Sequence, residues 1–299
     1  MTKKHQEYLA DFSLITISLI WGSTFIIIKQ TLDSFEPITF LFLRFLVASI
    51  AMLVLIAPLY KKIDKTLLTD GTILGTVLFI VFLFQTIALK LSTATEVGFL
   101  TGLYVLFVPI LSAVFLKIYP HVFSWIGVFF SATGMILITY QADTSISLGQ
   151  LFAVVNAFFI GVHILTTDRY SRKHNVLLLT AIQIIIVCIL SGLYSVMFET
   201  ADYSKVLEPY IGFSILGTGL IATVLCFFLQ TAMQKHTTPT KASIMFTLEP
   251  ISSAFFGFFI AAEIMNKKQY FGAALIISAI LIAEAGTALK NAKKNAQRV

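Results

Sequence analysis

Two ionisable side chains stand where a bilayer has no place for them. Glu249 lies inside the apolar run 240–262, and Arg44 interrupts the run from Phe40 to Leu59. About nine residues of helix precede Glu249, roughly 14 Å at 1.5 Å per residue, which puts the carboxyl near the middle of a hydrocarbon core. A charge at that depth costs a few kcal/mol on insertion scales, so each such residue is a candidate for binding a solute or an ion. Pro250 follows Glu249 directly. Its ring removes one backbone hydrogen bond and frees the carbonyl of Phe246. A carboxyl beside a broken helix can hold a proton or the cationic part of a substrate; alternatively it braces the kink. Arg44 can anchor a substrate carboxylate or pair with a membrane acid; alternatively it snorkels to the headgroups or pairs with Glu36 or Asp33.

Weaker candidates surround these two. His163 is either a hydrogen-bonded packing residue or a proton relay. Asn156 sits in mid-run and needs a partner in the bundle. Gln85 and Gln230 each close an apolar run, as helix caps or as substrate contacts. Gln183 stands 139 residues after Arg44 and reads as its counterpart in the later half of the chain. Trp21 and Tyr104 can stack on a ligand or simply pack. Pro109 and Pro250 mark helix breaks. Lys29 reads as snorkelling, and Glu263 and Glu284 as solvated span ends.

The elements that must position these groups are membrane helices. Apolar residues make up 58% of the 299 and charged residues 12%, with a mean hydropathy of +0.90; a soluble domain carries about 25% charged residues. Ten apolar segments, at about 12–31, 37–59, 70–89, 95–117, 122–140, 147–167, 176–198, 208–232, 240–262 and 269–288, each approach the ~20 residues of a spanning helix. The connections are too short for a soluble ATPase domain. Cys188 and Cys226 lie inside apolar runs and read as packing residues. No HExxH, GxSxG or phosphate-loop motif is present, so neither catalysis nor a cofactor or metal is expected. The polar first residues, Met1 to Asp11, contain no signal-peptide core, and no cleaved leader is expected. The net charge of +6 gathers at span ends and in the C-terminal tail, which a bilayer explains better than nucleic acid. With the N-terminus placed inside, fifteen of the 21 Lys and Arg fall inside and five outside, with Arg44 within a span. The positive-inside rule then puts both termini in the cytoplasm.

The chain also repeats itself. Gln85-Thr86 followed by Lys90, Thr93 and Thr95 recurs as Gln230-Thr231 followed by Lys235, Thr238 and Thr240, 145 residues on. Aligning the later segments on their prolines, Val108-Pro109 against Glu249-Pro250, requires a four-residue gap. The expected halves are 1–143 and 144–299, five spans each, so the second is inverted relative to the first, a usual construction for secondary transporters. Small residues at intervals of four (Gly71 and Gly75, Gly98 and Gly102, and Ala153, Ala157 and Gly161) suit close helix packing.

Trp21-Gly22-Ser23-Thr24-Phe25 with Lys29, then Arg44, Leu248-Glu249-Pro250, Glu263 and Gly272, together resemble the EamA-type permeases of the drug/metabolite transporter superfamily over the whole chain. The resemblance implies an all-α membrane protein of ten helices, a central cavity and alternating access without ATP. It departs at Lys117, where the family often has Glu, at the second half, which has Ile160-Gly161-Val162 in place of Trp-Gly-Ser, and at His163. The expected activity is movement of a small organic metabolite, such as an amino acid, outward across the plasma membrane, with protons as a candidate coupling ion. The alternative is a passive facilitator or channel for a small polar solute. The expected partners are the bilayer and a small-molecule substrate, with the chain a monomer or homodimer.

Overall fold

The computed structural model describes residues 3–117, 119–120, 122–139, 147–200 and 202–262, and between 266 and 282 all but 269, 273, 276 and 280. Most of the described residues are helical, and none of them forms a strand. Among the described residues, eight helical stretches are long and apolar enough to cross a membrane. The segments expected at 122–140 and 269–288 contain shorter apolar helices, Val122–Gly134 and Tyr270–Ala279. Glu263, Glu284 and all of the expected 141–147 link between the halves except Ser147 lie outside the described residues.

Three of the first helices are continuous: α1 (Lys3–Leu32), α2 (Pro37–Ile56) and α3 (Lys65–Leu91). The fourth span is broken into α4 (Ala94–Thr101), α5 (Tyr104–Leu111) and a π-helical turn, Ser112–Leu116. After α6 (Val122–Thr139) come the continuous α7 (Leu148–Ser171) and α8 (Val176–Phe198). The next span joins α9 (Pro209–Gly217) to α10 (Cys226–Gln234) through a π-helical stretch, Thr218–Leu225. The last of the eight is broken into α11 (Pro239–Phe246) and α12 (Leu248–Ala261).

The two broken spans share their landmarks at the same offset of 145 that relates Gln85 to Gln230. Thr93 caps α4 by accepting from the Glu96 amide at 3.2 Å, and Thr238 caps α11 by accepting from the Lys241 amide at 3.2 Å. The breaks fall at Gly102 and Thr247. Lys117 and Ala262 end the spans in the left-handed region, φ 55° and 54°, a conformation uncommon away from glycine. In this register Glu249 corresponds to Tyr104, and no gap is needed. The alignment on the prolines is therefore corrected: Pro109 sits near the end of α5, whereas Pro250 sits in the first turn of α12, so the two rings do different work.

The expected release of the Phe246 carbonyl is met by a donor from another helix. Ser18 Oγ of α1 donates to Phe246 O at 3.0 Å. One turn on, Ser252 Oγ donates to Leu19 O at 2.7 Å. Gly22 makes this approach possible. A Cβ added there would stand 2.5 Å from Ser252 Cβ and nearer still to the Glu249 carbonyl oxygen. The other small-residue faces pack as expected: Gly71 and Gly75 lie against Ile182 and Ile186 of α8, Gly98 against Ser253 of α12, and Gly161 against Phe107 of α5. Ala153 and Ala157 are fully buried.

Gly22→Val should lower stability by about 3 kcal/mol through overpacking at backbone. Gly217→Ala, where a Cβ meets nothing within 4 Å, should change it by no more than about 1 kcal/mol. Thermal unfolding of the two purified variants in the same detergent compares them.

Candidate functional site

A cavity of about 610 Å³ lies between the two broken spans, walled by α1, α3, α7 and α10. It receives Trp21, Thr24 and Phe25 from α1, and Arg44 from α2. Phe82 and Gln85 enter from α3, and Tyr104 from the start of α5. His163 comes from α7, Phe227 and Gln230 from α10, and Glu249 from α12. Each broken span thus delivers a polar side chain right after its break, Tyr104 in one and Glu249 in the other.

The two ionisable groups in the wall are not paired with one another. Glu249 is 5% and Arg44 3% exposed. Among the described residues no ion pair or hydrogen bond reaches the Glu249 carboxyl, and no carboxylate pairs with Arg44. The pairings of Arg44 with Glu36 or Asp33 are therefore corrected. Glu36 is exposed, and Asp33 lies 3.8 Å from Lys29. Lys29 also donates to the Lys90 carbonyl at 3.4 Å. Arg44 points inward instead of snorkelling. Its Nε donates to Thr223 Oγ1 at 2.8 Å, and its guanidinium carbon stands 4.8 Å from the Phe82 ring centre, a cation–π distance. Two neutral groups in the wall have unmet capacity: the Tyr104 hydroxyl and Gln230 Oε1 are buried without a hydrogen-bond partner.

The π-helical stretch 218–225 is held from the cavity side. Thr223 Oγ1, which accepts from Arg44, donates to Thr218 O five residues back at 2.9 Å. Trp21 Nε1 donates to Ala222 O at 2.8 Å. Gly219 lets the stretch approach α2, since a Cβ there would meet the Arg44 carbonyl at 2.9 Å. Trp21 is thus a structural tether whose ring also lines the cavity, tilted on Phe227 at 5.1 Å and Phe246 at 5.6 Å. A π turn leaves the local carbonyls displaced from α-helical partners, and such turns gather at functional sites.

Two of the expected site residues stand behind the wall. Gln183 is fully buried, accepts or shares the His163 Nε2 contact at 3.1 Å, and lies 3.5 Å from Thr231 Oγ1. It fixes the imidazole and is not among the cavity-lining residues, so it does not oppose Arg44. Asn156 has its partners in the bundle: Nδ2 donates to Val81 O at 2.7 Å and Oδ1 accepts from Thr101 Oγ1 at 3.1 Å. Pro109 is buried in α5 away from the cavity lining. Gln85 and Gln230 both line the cavity, so neither is only a helix cap.

Sequence reasoning missed the pair that closes one end of the bundle. Lys241 Nζ of α11 lies 2.7 Å from Asp11 Oδ2 of α1, with both side chains about nine-tenths buried. Beside it Gln234 Nε2 donates to Ile164 O at 2.6 Å, and Arg172 Nη2 donates to Thr237 O at 3.0 Å. At the opposite end Lys90 Nζ donates to Leu32 O, and Glu199 caps α2 by accepting from the amides of Ile38 at 2.9 Å and Thr39 at 2.6 Å.

Spanning helices around a buried, two-charge cavity define a multi-pass membrane protein of the solute-handling kind. The profile of the EamA-like transporter family matches residues 8–140 and again 147–284. A protein of Archaeoglobus fulgidus named as an uncharacterized transporter is 33% identical over 276 residues, 91% of this chain and 85% of that protein. The Bacillus subtilis protein named uncharacterized transporter YoaV is 21% identical over 276 residues, 90% of this chain and 94% of that one. A solved crystal structure superposes with a TM-score of 0.77 at 17% identity, covering 92% of this chain and 98% of its own, which shows a shared fold. The chain belongs to the EamA-like transporter family.

Thr223→Val removes the acceptor of a buried guanidinium and the bond across the π turn. It should lower stability by about 2 kcal/mol, the scale of a hydrogen bond to a charged group. Thr223→Ser should restore most of it. Unfolding midpoints of the two variants, measured side by side, decide between a real tether and an incidental contact.

Proposed function

We propose that this protein is a secondary transporter that moves a small zwitterionic metabolite with an apolar body, such as an amino acid, out of the cell by alternating access. The observation that carries the reading is the placement of Arg44 and Glu249, a base and an acid, buried, unpaired with each other and both lining one cavity. An unpaired buried charge is costly, and a solute carrying the complementary charges offsets that cost at both ends. Phe25, Phe82, Phe227 and Trp21 suit the apolar body between them. Tyr104 and Gln230 supply further hydrogen bonds, and His163, held by Gln183, flanks the site.

In this reading ten helices form two inverted five-helix halves, 1–143 and 144–299, with both termini in the cytoplasm and the chain in the plasma membrane. Three observations support it. The family profile matches once on each side of 141–146. The caps, breaks and left-handed ends of the broken spans share one offset. Helix partners also correspond across the halves: α1 packs on α11 and α12 as α7 packs on α4 and α5, and α1 packs on α10 as α7 packs on α3. Near-equivalent halves can rock around a central site so that one end opens while the other is laced. Glu249 serves as the proton-coupling carboxyl, taking up a proton when the solute's cationic group leaves.

An uptake panel of metabolites in inverted vesicles, with and without a pH gradient, tests the reading. A zwitterionic substrate should show gradient-driven flux in the wild type. Glu249→Gln should lower gradient-driven flux at least tenfold while solute counterflow persists. Flux in that variant equal to wild type under the gradient removes Glu249 from the coupling. Absence of trans-stimulation in the wild type points to a passive facilitator. Cysteine labelling at positions 143 and 172 checks orientation, since the two should be reached from opposite sides.

A further inference from the structure

A second concavity, separate in character from the central one, runs along the outer side of α1. It encloses about 440 Å³ and lies between Ile20, Ser23, Thr24 and Ile27 of α1 and the α9–π junction, from Phe213 to Ala222. Its floor is open because Gly217 has no side chain, and a Cβ there would meet nothing within 4 Å. The groove runs about 12 Å along the helix from Phe213 to Ile221 at 1.5 Å per residue.

Every hydroxyl in the groove is turned back on its own helix. Ser23 donates to Ile20 O at 2.7 Å, Thr24 to Trp21 O at 2.7 Å, Ser214 to Tyr210 O at 2.8 Å and Thr218 to Ser214 O at 2.6 Å. The groove therefore presents methyl and methylene surface in spite of four Ser and Thr residues, and offers a polar solute no free donor. Its rim faces outward from two spanning helices: Phe213 is 75% and Ile221 52% exposed. At one end Tyr210, whose hydroxyl bonds to Gln30 Oε1 at 2.7 Å, opens the span, and phenols favour the headgroup level. Lys205 lies in the preceding turn, tied to the Ser34 carbonyl at 2.8 Å.

From these observations we infer that the groove between α1 and the α9–π junction is a binding site for one acyl chain of a bilayer phospholipid. The chain descends from the Tyr210 and Lys205 level past Phe213, over Gly217, to Ile221. It lies against the back of the wall that carries Trp21 and Thr24, so the lipid and the central cavity share that wall from opposite faces. The site needs no substrate, and its test does not depend on the transport reading.

The chain has two tryptophans, Trp21 and Trp125. In a Trp125→Phe background Trp21 is the sole fluorophore, and it neighbours the groove through Ile20, Thr24 and Ala222. Reconstitute that protein in bilayers of phosphatidylcholine brominated in mid-chain, and in unbrominated bilayers as reference. Bromine quenches tryptophan at short range, so Trp21 emission should fall at least twofold, comparably to the lipid-exposed Trp125 measured in a Trp21→Phe protein. Adding Gly217→Phe, which fills the groove floor, should relieve most of the quenching. Gly217→Ala should leave it in place. Folding of each variant is read from its emission maximum in unbrominated lipid. Should Gly217→Phe fail to fold, the smaller Gly217→Leu takes its place with the same two outcomes. An unquenched Trp21 overturns the proposal and means that protein covers the groove. Quenching that survives a folded Gly217→Phe overturns it too, because the bromine then reaches Trp21 by another path.

Discussion

The contact on which the rest depends is the approach of α1 to the break between α11 and α12. A proline in the first turn of a buried helix leaves a carbonyl without its amide, and in a bilayer that carbonyl has no water to turn to. Ser18 supplies the missing donor, Gly22 supplies the space, and Ser252 returns a bond to α1. With the break seated this way, Glu249 lines the cavity. Remove the glycine and the helices separate; remove the serine and the break carries an unmet acceptor. The acid at mid-membrane is thus placed by backbone chemistry, with no salt bridge holding its side chain.

Arg44 is seated by a different device. The π-helical stretch offers a threonine hydroxyl that is both acceptor for the guanidinium and donor to a carbonyl five residues back. Trp21 pins the same stretch from α1. The two charges of the cavity therefore rest on two local departures from α-helical geometry, one a clean break and one an over-wide turn. Both are fastened by α1. A cavity built this way responds as a unit, since a shift of α1 moves the supports of both charges together.

The sequence made the membrane class and the break beside Pro250 legible, and it marked Arg44, Glu249, Gln85, Gln230, His163, Trp21 and Tyr104 as candidates without saying which share a cavity, because hydropathy and buried polarity act locally along the chain. Three features stayed hidden. The π-helical stretch carries no proline, and the glycines at its start, Gly217 and Gly219, mark no break in the hydropathy. The Asp11–Lys241 pair joins residues whose neighbours along the chain give no hint of each other, and Asp11 read only as the end of the polar first residues. The repeat register was misread because proline is a conspicuous marker, while the true landmarks, a threonine cap, a break and a left-handed end, are conformational. Corrected, the register sets Tyr104 opposite Glu249: a phenol in one half where the other has an acid. Gln183 and Asn156 were polar for a reason that periodicity could not supply, namely to brace His163 and to tie α7 to the carbonyl of Val81.

The partners of α1 also carry a consequence for how the chain is made. Asp11, Ser18 and Trp21 bond to residues 241, 246 and 222. At a synthesis rate of about 5–20 residues per second, the first helix enters the bilayer on the order of ten to fifty seconds before its partners leave the ribosome. During that interval Asp11 and the indole of Trp21 must be tolerated by lipid, the insertion machinery or temporary neighbours. α1 is made well before its partners in α10 to α12 and is among the last helices to reach its final setting, so a stalled chain presents to the cell's quality control a helix that has met α3 and α4 but not the segments that seat its polar groups.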